Sequence, residues 1–204
     1  MTTFFRPKKY AMKIDPTSKY AWINIPKNAS SFIQKALYDN GWIDVPKENI
    51  DKIIESSIIK KLVVLRDPVD RWISGFSQCM FDHNLNILDI VDNKVFQSLI
   101  YLNPVFDDHT EYQHRFVGNA QNLVYIYMDK EKPNYFYRDL SIWIRTTGGV
   151  AGFDRWKDKI NPTTNESRKL KINQALRTIF DNNTFRCLFD LDEEMLEKYD
   201  RFTN

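Results

Sequence analysis

Lys61-Leu62-Val63-Val64-Leu65-Arg66-Asp67-Pro68 is the stretch that decides the fold. Its run of apolar residues is strand-length, partly β-branched and free of alternation, the pattern of a strand covered on both faces. It reads as a central strand of a parallel sheet. Asp67 and Pro68 then predict an immediate helix start, with Asp67 as N-cap and Pro68 at the first helical position, where a missing N–H costs nothing. That helix is expected to run to about Cys79 with Trp72, Ile73 and Phe76 facing inward, while Asp70 and Arg71 read as surface charges, solvated or paired.

The same grammar repeats on either side. Upstream, Ala21 to Ile25 is a short apolar strand, residues 26 to 31 form a polar turn, and Phe32, Ile33, Ala36 and Leu37 follow at helical spacing until Gly41. Ile50 to Ile59 predicts a second helix, with Ile58 among its apolar positions. Downstream, Leu123 to Met128 predicts a third strand, Tyr135 to Arg145 a helix, and Gly148, Gly149 and Gly152 a loop. Met80 to Asn119 reads as mixed helix and loop, and Arg168 to Phe180 and Glu193 to Tyr199 as closing helices. Alternating strands and helices give an α/β class with a mostly parallel central sheet flanked by helices.

Composition bounds the rest. With 204 residues, 43% hydrophobic and 14% aromatic, the chain can bury one core, and without repeats or linkers residues 1–204 read as a single domain. A formal net charge of +2 gives no electrostatic case for nucleic acid, so any anion site must be local. No apolar window is long enough for a membrane span, and Met1 to Tyr20 lacks the apolar core of a secretory signal, so the expected location is the cytoplasm. Cys79 and Cys187 suggest neither a disulfide framework nor a metal cluster.

Two segments carry chemistry. A strand, a short polar turn and a helix make an anion site by construction, because the first helical N–H groups lack internal partners and point at the turn. Residues 26 to 31 fill that turn, where Lys27 adds a mobile charge and Ser30 and Ser31 add hydroxyls. Alone, the segment could equally be a solvated surface turn. In the second segment Arg66 ends a strand and Ser74 lies two turns into the next helix, so the pair could grip one phosphate, or could be a strand-end ion-pair residue and a small packing residue. If both strands are parallel in one sheet, both turns lie at its carboxyl edge, where open α/β sheets bind ligands.

Trp22 to Phe32 resembles the 5′-phosphosulfate loop of sulfotransferases that use 3′-phosphoadenosine 5′-phosphosulfate (PAPS), particularly the Golgi-type carbohydrate family and its short microbial and phage relatives. Arg66 to Phe76 resembles that family's 3′-phosphate motif, with Arg and Ser at matching spacing. Weaker echoes are Asp108 to Gln113, Leu123 to Asp139 and Asn161 to Ser167. The resemblance implies a P-loop-like three-layer fold, PAPS as donor with 3′,5′-ADP as product, no required metal, and a hydroxyl acceptor, a carbohydrate by analogy. It implies that Lys27 contacts the oxygen bridging phosphate and sulfate, that Asn28, Ala29, Ser30 and Ser31 form the 5′-phosphate loop, and that Arg66 and Ser74 hold the 3′-phosphate.

There are departures from the family pattern. Asn28-Ala29 stands where many relatives carry Gly or Thr, and the interval between the two motifs has no His, so the general base must come from elsewhere. His109 is the first candidate, since imidazole can accept a hydroxyl proton near neutral pH, with Glu111 the runner-up, followed by His114 and His83. Two rival readings stand beside this one. A P-loop nucleotide kinase would read Asp67 as a Mg²⁺ ligand, although residues 26 to 31 lack the glycines and terminal Gly-Lys-Ser/Thr of a Walker loop. The other rival is a nucleotide-binding or interaction protein without catalysis.

Overall fold

The computed structural model describes residues 11–151 and 166–203. Within them Lys60–Leu65 is a strand flanked on both sides by parallel neighbours. Strands β1 (Met12–Ile14), β2 (Tyr20–Ile23), β3 (Ile43–Asp44), β4 (Lys60–Leu65) and β5 (Leu123–Tyr127) form one sheet in the order β3-β1-β2-β4-β5. The β2-β4 and β4-β5 pairs are parallel, with Trp22 beside Leu62 and Leu62 beside Val124. The predicted α/β class and the parallel core therefore hold. The sequence reading missed β1 and β3, which extend the sheet in antiparallel sense. They are 3 and 2 residues long, too short for a period-2 pattern to register.

Side-chain alternation on β4 explains its unbroken apolar run. Leu62 and Val64 pack with Trp22 and Ile126 under helices α1 (Ser30–Tyr38) and α7 (Pro133–Thr146), which contribute Ile33, Leu37, Phe136 and Leu140. Val63 and Leu65 face the other way, against α2 (Lys47–Glu55), α6 (Gln113–Val117) and Met195 of the C-terminal helix. Each face of the strand thus has its own helical layer. Lys61, at the entry to the same strand, is fully buried, and its ammonium donates to the carbonyls of Ser56 at 2.5 Å, Ile59 at 2.9 Å and Gln121 at 2.7 Å. Three donors meet three acceptors and stitch together the loops at the amino edge of the sheet.

A third cluster lies beside the sheet. Asp67 caps α3 (Pro68–Asp82) as expected, its carboxylate accepting from the Asp70 N–H at 2.8 Å. Val69, Trp72, Ile73 and Phe76 of α3 pack against Ile172, Leu176 and Phe180 of α8 (Glu166–Phe180) and Phe185 of the short α9 (Asn183–Arg186). The chain closes with a single 3₁₀ turn at Cys187–Phe189 and helix α10 (Asp190–Thr203). Between α3 and α6, the region read as mixed helix and loop contains α4 (Leu88–Val91) and α5 (Lys94–Leu102).

Several boundaries move. Helix α2 ends at Glu55 because Ser56 turns extended, leaving Ile58 86% exposed rather than on a buried helical face. Helix α3 runs one turn past Cys79. Asp70 and Arg71 are buried rather than on the surface, 4% and 1% exposed, and of the two expected alternatives Asp70 takes the paired one, with Arg177 and Lys130. Residues 161–165 of the Asn161 to Ser167 segment lie outside the described residues, as does Gly152. Among the described residues no helix is long and apolar enough to cross a membrane.

Candidate functional site

The turn between β2 and α1 is a strained loop without glycine. Lys27 and Ala29 both adopt left-handed backbone, with φ of 70° and 57°, conformations that disfavour a side-chain-bearing residue by roughly 1–3 kcal/mol each. Asn28 between them locks the shape. It is 1% exposed, and its amide donates to the Val64 carbonyl at 2.7 Å and to Gln113 Oε1 at 2.6 Å. Asn28 thus faces inward and shapes the loop through the core, while its neighbours face outward. Ser30 Oγ donates to the Ile25 carbonyl at 2.9 Å, closing the turn. Ala29 is the N-cap of α1 and supplies no side-chain cap, so the first-turn N–H groups are left for another acceptor.

Arg66 follows directly from β4. Gln113, fully buried on α6, grips its main chain from both directions, accepting from the Arg66 N–H at 3.1 Å and donating to the Arg66 carbonyl at 2.8 Å. The guanidinium reaches across to the Lys27 carbonyl at 3.0 Å. Gln113 therefore ties together the two segments that sequence reading paired only by topology. Burial pushes the Arg66 guanidinium down from its usual range; Asp70 acts against this and the Arg177 charge adds to it. Asp70 is itself clamped by Arg177 and by Lys130 at 3.0 Å, so cations from α8 and from the turn after β5 gather near Arg66.

Arg71 is the largest surprise of the site. Its Nε donates to the Pro26 carbonyl at 3.0 Å, and its terminal nitrogens donate to the carbonyls of Glu111 and of Asp108, the latter at 3.4 Å. One buried guanidinium so joins the Lys27 loop to the segment that carries His109. Burial pushes it down to about 10, with Asp192 and Glu111 acting the other way, and it stays charged at neutral pH.

His109 Nδ1 lies 3.0 Å from Asp107 Oδ2. A carboxylate only accepts, so Nδ1 carries a proton, and in the neutral imidazole the lone pair is then on Nε2. Burial alone would raise the Asp107 carboxyl, but the hydrogen bonds and charge from His109 outweigh it and hold the group below its usual range. Of the other proposed bases, Glu111 is 8% exposed and pairs with Arg115 at 3.1 Å. His114 pairs with the buried Asp192 at 2.8 Å, and His83 is the exposed C-cap of α3.

A cavity of about 950 Å³ opens at the carboxyl edge of β2, β4 and β5. Lys27, Ala29, Ser30, Ser31, Arg66 and Ser74 all line it, and so does His109. Asn28 and Glu111 are not among its lining residues. Phe32, Phe136 and Tyr137 supply an aromatic wall, their rings stacked edge-on or tilted at centroid distances of 5.4 to 6.3 Å. No known protein family, curated protein or solved structure matches the chain. The cavity must therefore be read from its own chemistry.

Burial pushes the Lys27 ammonium down to about 8, helped by the nearby Lys169 and Arg66 charges and opposed by Asp82 and Asp107. Sequence reasoning missed Arg71 and Gln113 as organisers. A signal was present for Arg71: it shares a helical face with Ser74 and Gln78. For Gln113 the trace was its place at the end of the Asp108 to Gln113 echo.

Proposed function

We propose that the protein is a sulfotransferase that moves a sulfuryl group from PAPS to a hydroxyl, with a carbohydrate as the expected acceptor. The observation that carries this reading is the convergence of Lys27, Ser30 and Ser31 with Arg66 and Ser74 in one cavity, opposite a His109–Asp107 pair. A donor with two separated phosphates and a purine fits two anion-holding ends and an aromatic wall. The P-loop-like description of the fold belongs to the same proposal, supported by the anion loop between β2 and α1 at the edge of a parallel core.

In this reading the α1 amides and the Ser31 hydroxyl hold the 5′-phosphate, Ser30 keeps the turn closed through the Ile25 carbonyl, and Arg66 and Ser74 hold the 3′-phosphate. His109 Nε2 takes the acceptor hydroxyl proton as that oxygen attacks sulfur in line. The S–O bond to the 5′-phosphate breaks, its electron pair passes to the phosphate oxygen, and the Lys27 ammonium stabilises the charge that collects there. The kinase alternative is weakened by Asp67, whose carboxylate caps α3 and pairs with Arg186 at 2.7 Å.

The deciding experiment is transfer of radiolabelled sulfate from PAPS to a panel of glycans, lipids and phenols. Labelled product that depends on Lys27 supports the reading. Binding of 3′,5′-ADP without transfer to any acceptor would favour a non-catalytic nucleotide-binding protein, and turnover with ATP and Mg²⁺ would favour the kinase.

A further inference from the structure

Gln78, one turn along α3 from Ser74, holds two ammonium groups on a single oxygen. Its Oε1 accepts from Lys27 Nζ at 3.4 Å and from Lys169 Nζ at 2.6 Å. Lys169 comes from the first turn of α8 and lies over the Phe81 ring at 4.9 Å. A cation in the first turn of a helix stands where the macrodipole disfavours it, and a second ammonium beside it adds like-charge repulsion. A neutral carboxamide cannot discharge the pair. Two carboxylates offset part of this charge: Asp82, which accepts from Gln78 Nε2 at 2.6 Å, and Asp107, which is held by His109. They reach Lys27 only through space, as does Arg66, whose charge adds to that of Lys169. Burial is the largest cost to the Lys27 charge and the second ammonium adds to it, so an anion placed between the ammoniums relieves both.

We propose that Lys27 and Lys169 form a two-ammonium site for the transferring sulfuryl group and the oxygen it leaves, distinct from Ser31, Arg66 and Ser74, which hold the nucleotide phosphates. The assignment to a sulfuryl group rests on the sulfotransferase reading; the anion site itself does not. As the sulfur–oxygen bond to the 5′-phosphate breaks and the bond to the acceptor oxygen forms, charge on the moving SO₃ oxygens lies between two cations rather than beside one. Lys27 lines the cavity, and Lys169, which with Gln78 is not among the lining residues, reaches the site through the oxygen it shares with Lys27.

Two measurements on the full chain test this. Lys169→Met is expected to lower kcat with PAPS by about 10²-fold, the size of losing one charge-stabilising donor, while Kd for 3′,5′-ADP, which lacks the sulfuryl group, changes by less than about threefold. Separately, the pH dependence of Lys27 acylation by acetic anhydride in the ligand-free protein, read by peptide mass spectrometry, reports Lys27 titration without any nucleotide. Its midpoint should rise in Lys169→Met and return in Lys169→Arg, and inorganic sulfate should raise it in the wild type. An unchanged midpoint in a folded Lys169→Met protein overturns the two-ammonium site. A shifted midpoint with unchanged kcat overturns its assignment to the sulfuryl group. If 3′,5′-ADP fails to bind the wild type, the sulfotransferase reading falls while the acylation profile still decides the anion site.

Discussion

Gly75 and His109 touch with no room for a side chain: a Cβ on Gly75 would stand 2.1 Å from the His109 carbonyl oxygen and 2.6 Å from its carbonyl carbon. Both atoms belong to backbone, so neither can swing aside. Helix α3 and the 107–109 segment are thereby held at a fixed separation.

Gly75→Ala should therefore push the 107–109 segment away from α3. The expected result is a fall in kcat of about 10²-fold from misplacement of the base, with 3′,5′-ADP affinity nearly kept and a stability loss of about 1–3 kcal/mol in urea unfolding. Normal turnover in Gly75→Ala would show that the segment does not position the base.

Donor recognition makes a second prediction, read by thermal shift. At about 100 times its Kd, 3′,5′-ADP should stabilise the protein by about 2.7 kcal/mol, and 5′-AMP at the same concentration by clearly less. Arg66→Ala should erase the difference between the two ligands. Equal stabilisation of the wild type by 5′-AMP would remove the 3′-phosphate role of Arg66 and Ser74.

The depressed Lys27 sets a pH window. Its ammonium, pushed down to about 8, is mostly charged below that pH and is lost above it, so kcat/KM with PAPS should decline as pH rises through about 8. Lys27→Arg should move that alkaline limb upward out of the measured range, whatever its effect on the rate. In the ligand-free fold the sign is reversed: the unfolded chain holds this proton more tightly, so Lys27 makes stability rise between about 8 and 10.5. An alkaline limb in Lys27→Arg identical to that of the wild type would assign it to another group.

Removing the base separates His109 from Glu111. His109→Ala should lower kcat by about 10²- to 10⁴-fold with 3′,5′-ADP affinity almost unchanged. Glu111→Gln should keep most turnover, since its carboxylate is committed to Arg115 rather than to the cavity. The reverse pattern would transfer the assignment to Glu111.

Arg71→Met should be among the most destabilising single changes, by about 3 kcal/mol or more in chemical unfolding, because it strands the carbonyls of Pro26, Asp108 and Glu111 without their donor. A loss within about 0.5 kcal/mol, the range of a surface substitution, would show that the guanidinium does not brace the site.

What could be read in advance was local. The Leu62 to Leu65 run announced a doubly covered strand, and Asp67-Pro68 announced the start of α3, because strand burial and helix capping depend on neighbouring residues alone. Lys27, Ser30 and Arg66 stood out for the same reason, each sitting at a strand end or a helix start, and Ser74 by its spacing from Arg66. The supports were not. Arg71, Gln113 and Lys169 act on partners between 37 and 91 positions away only once the chain has folded, and an isolated Arg or Gln in a sequence looks like a surface residue. The masking was complete for Asn28, whose side chain points into the core from a loop that otherwise faces the cavity.

That inward-pointing asparagine has a kinetic consequence. A glycine-built phosphate loop samples many shapes when empty, and an arriving anion must first find or impose the right one. Here Lys27 and Ala29 are held in place by the hydrogen bonds of Asn28 before any ligand comes. Association should then proceed in one step at a rate set by diffusion and electrostatic steering, falling with ionic strength and showing no saturation at high ligand concentration in stopped-flow traces. Asn28→Gly would restore the usual flexibility and bring back the slow ordering phase.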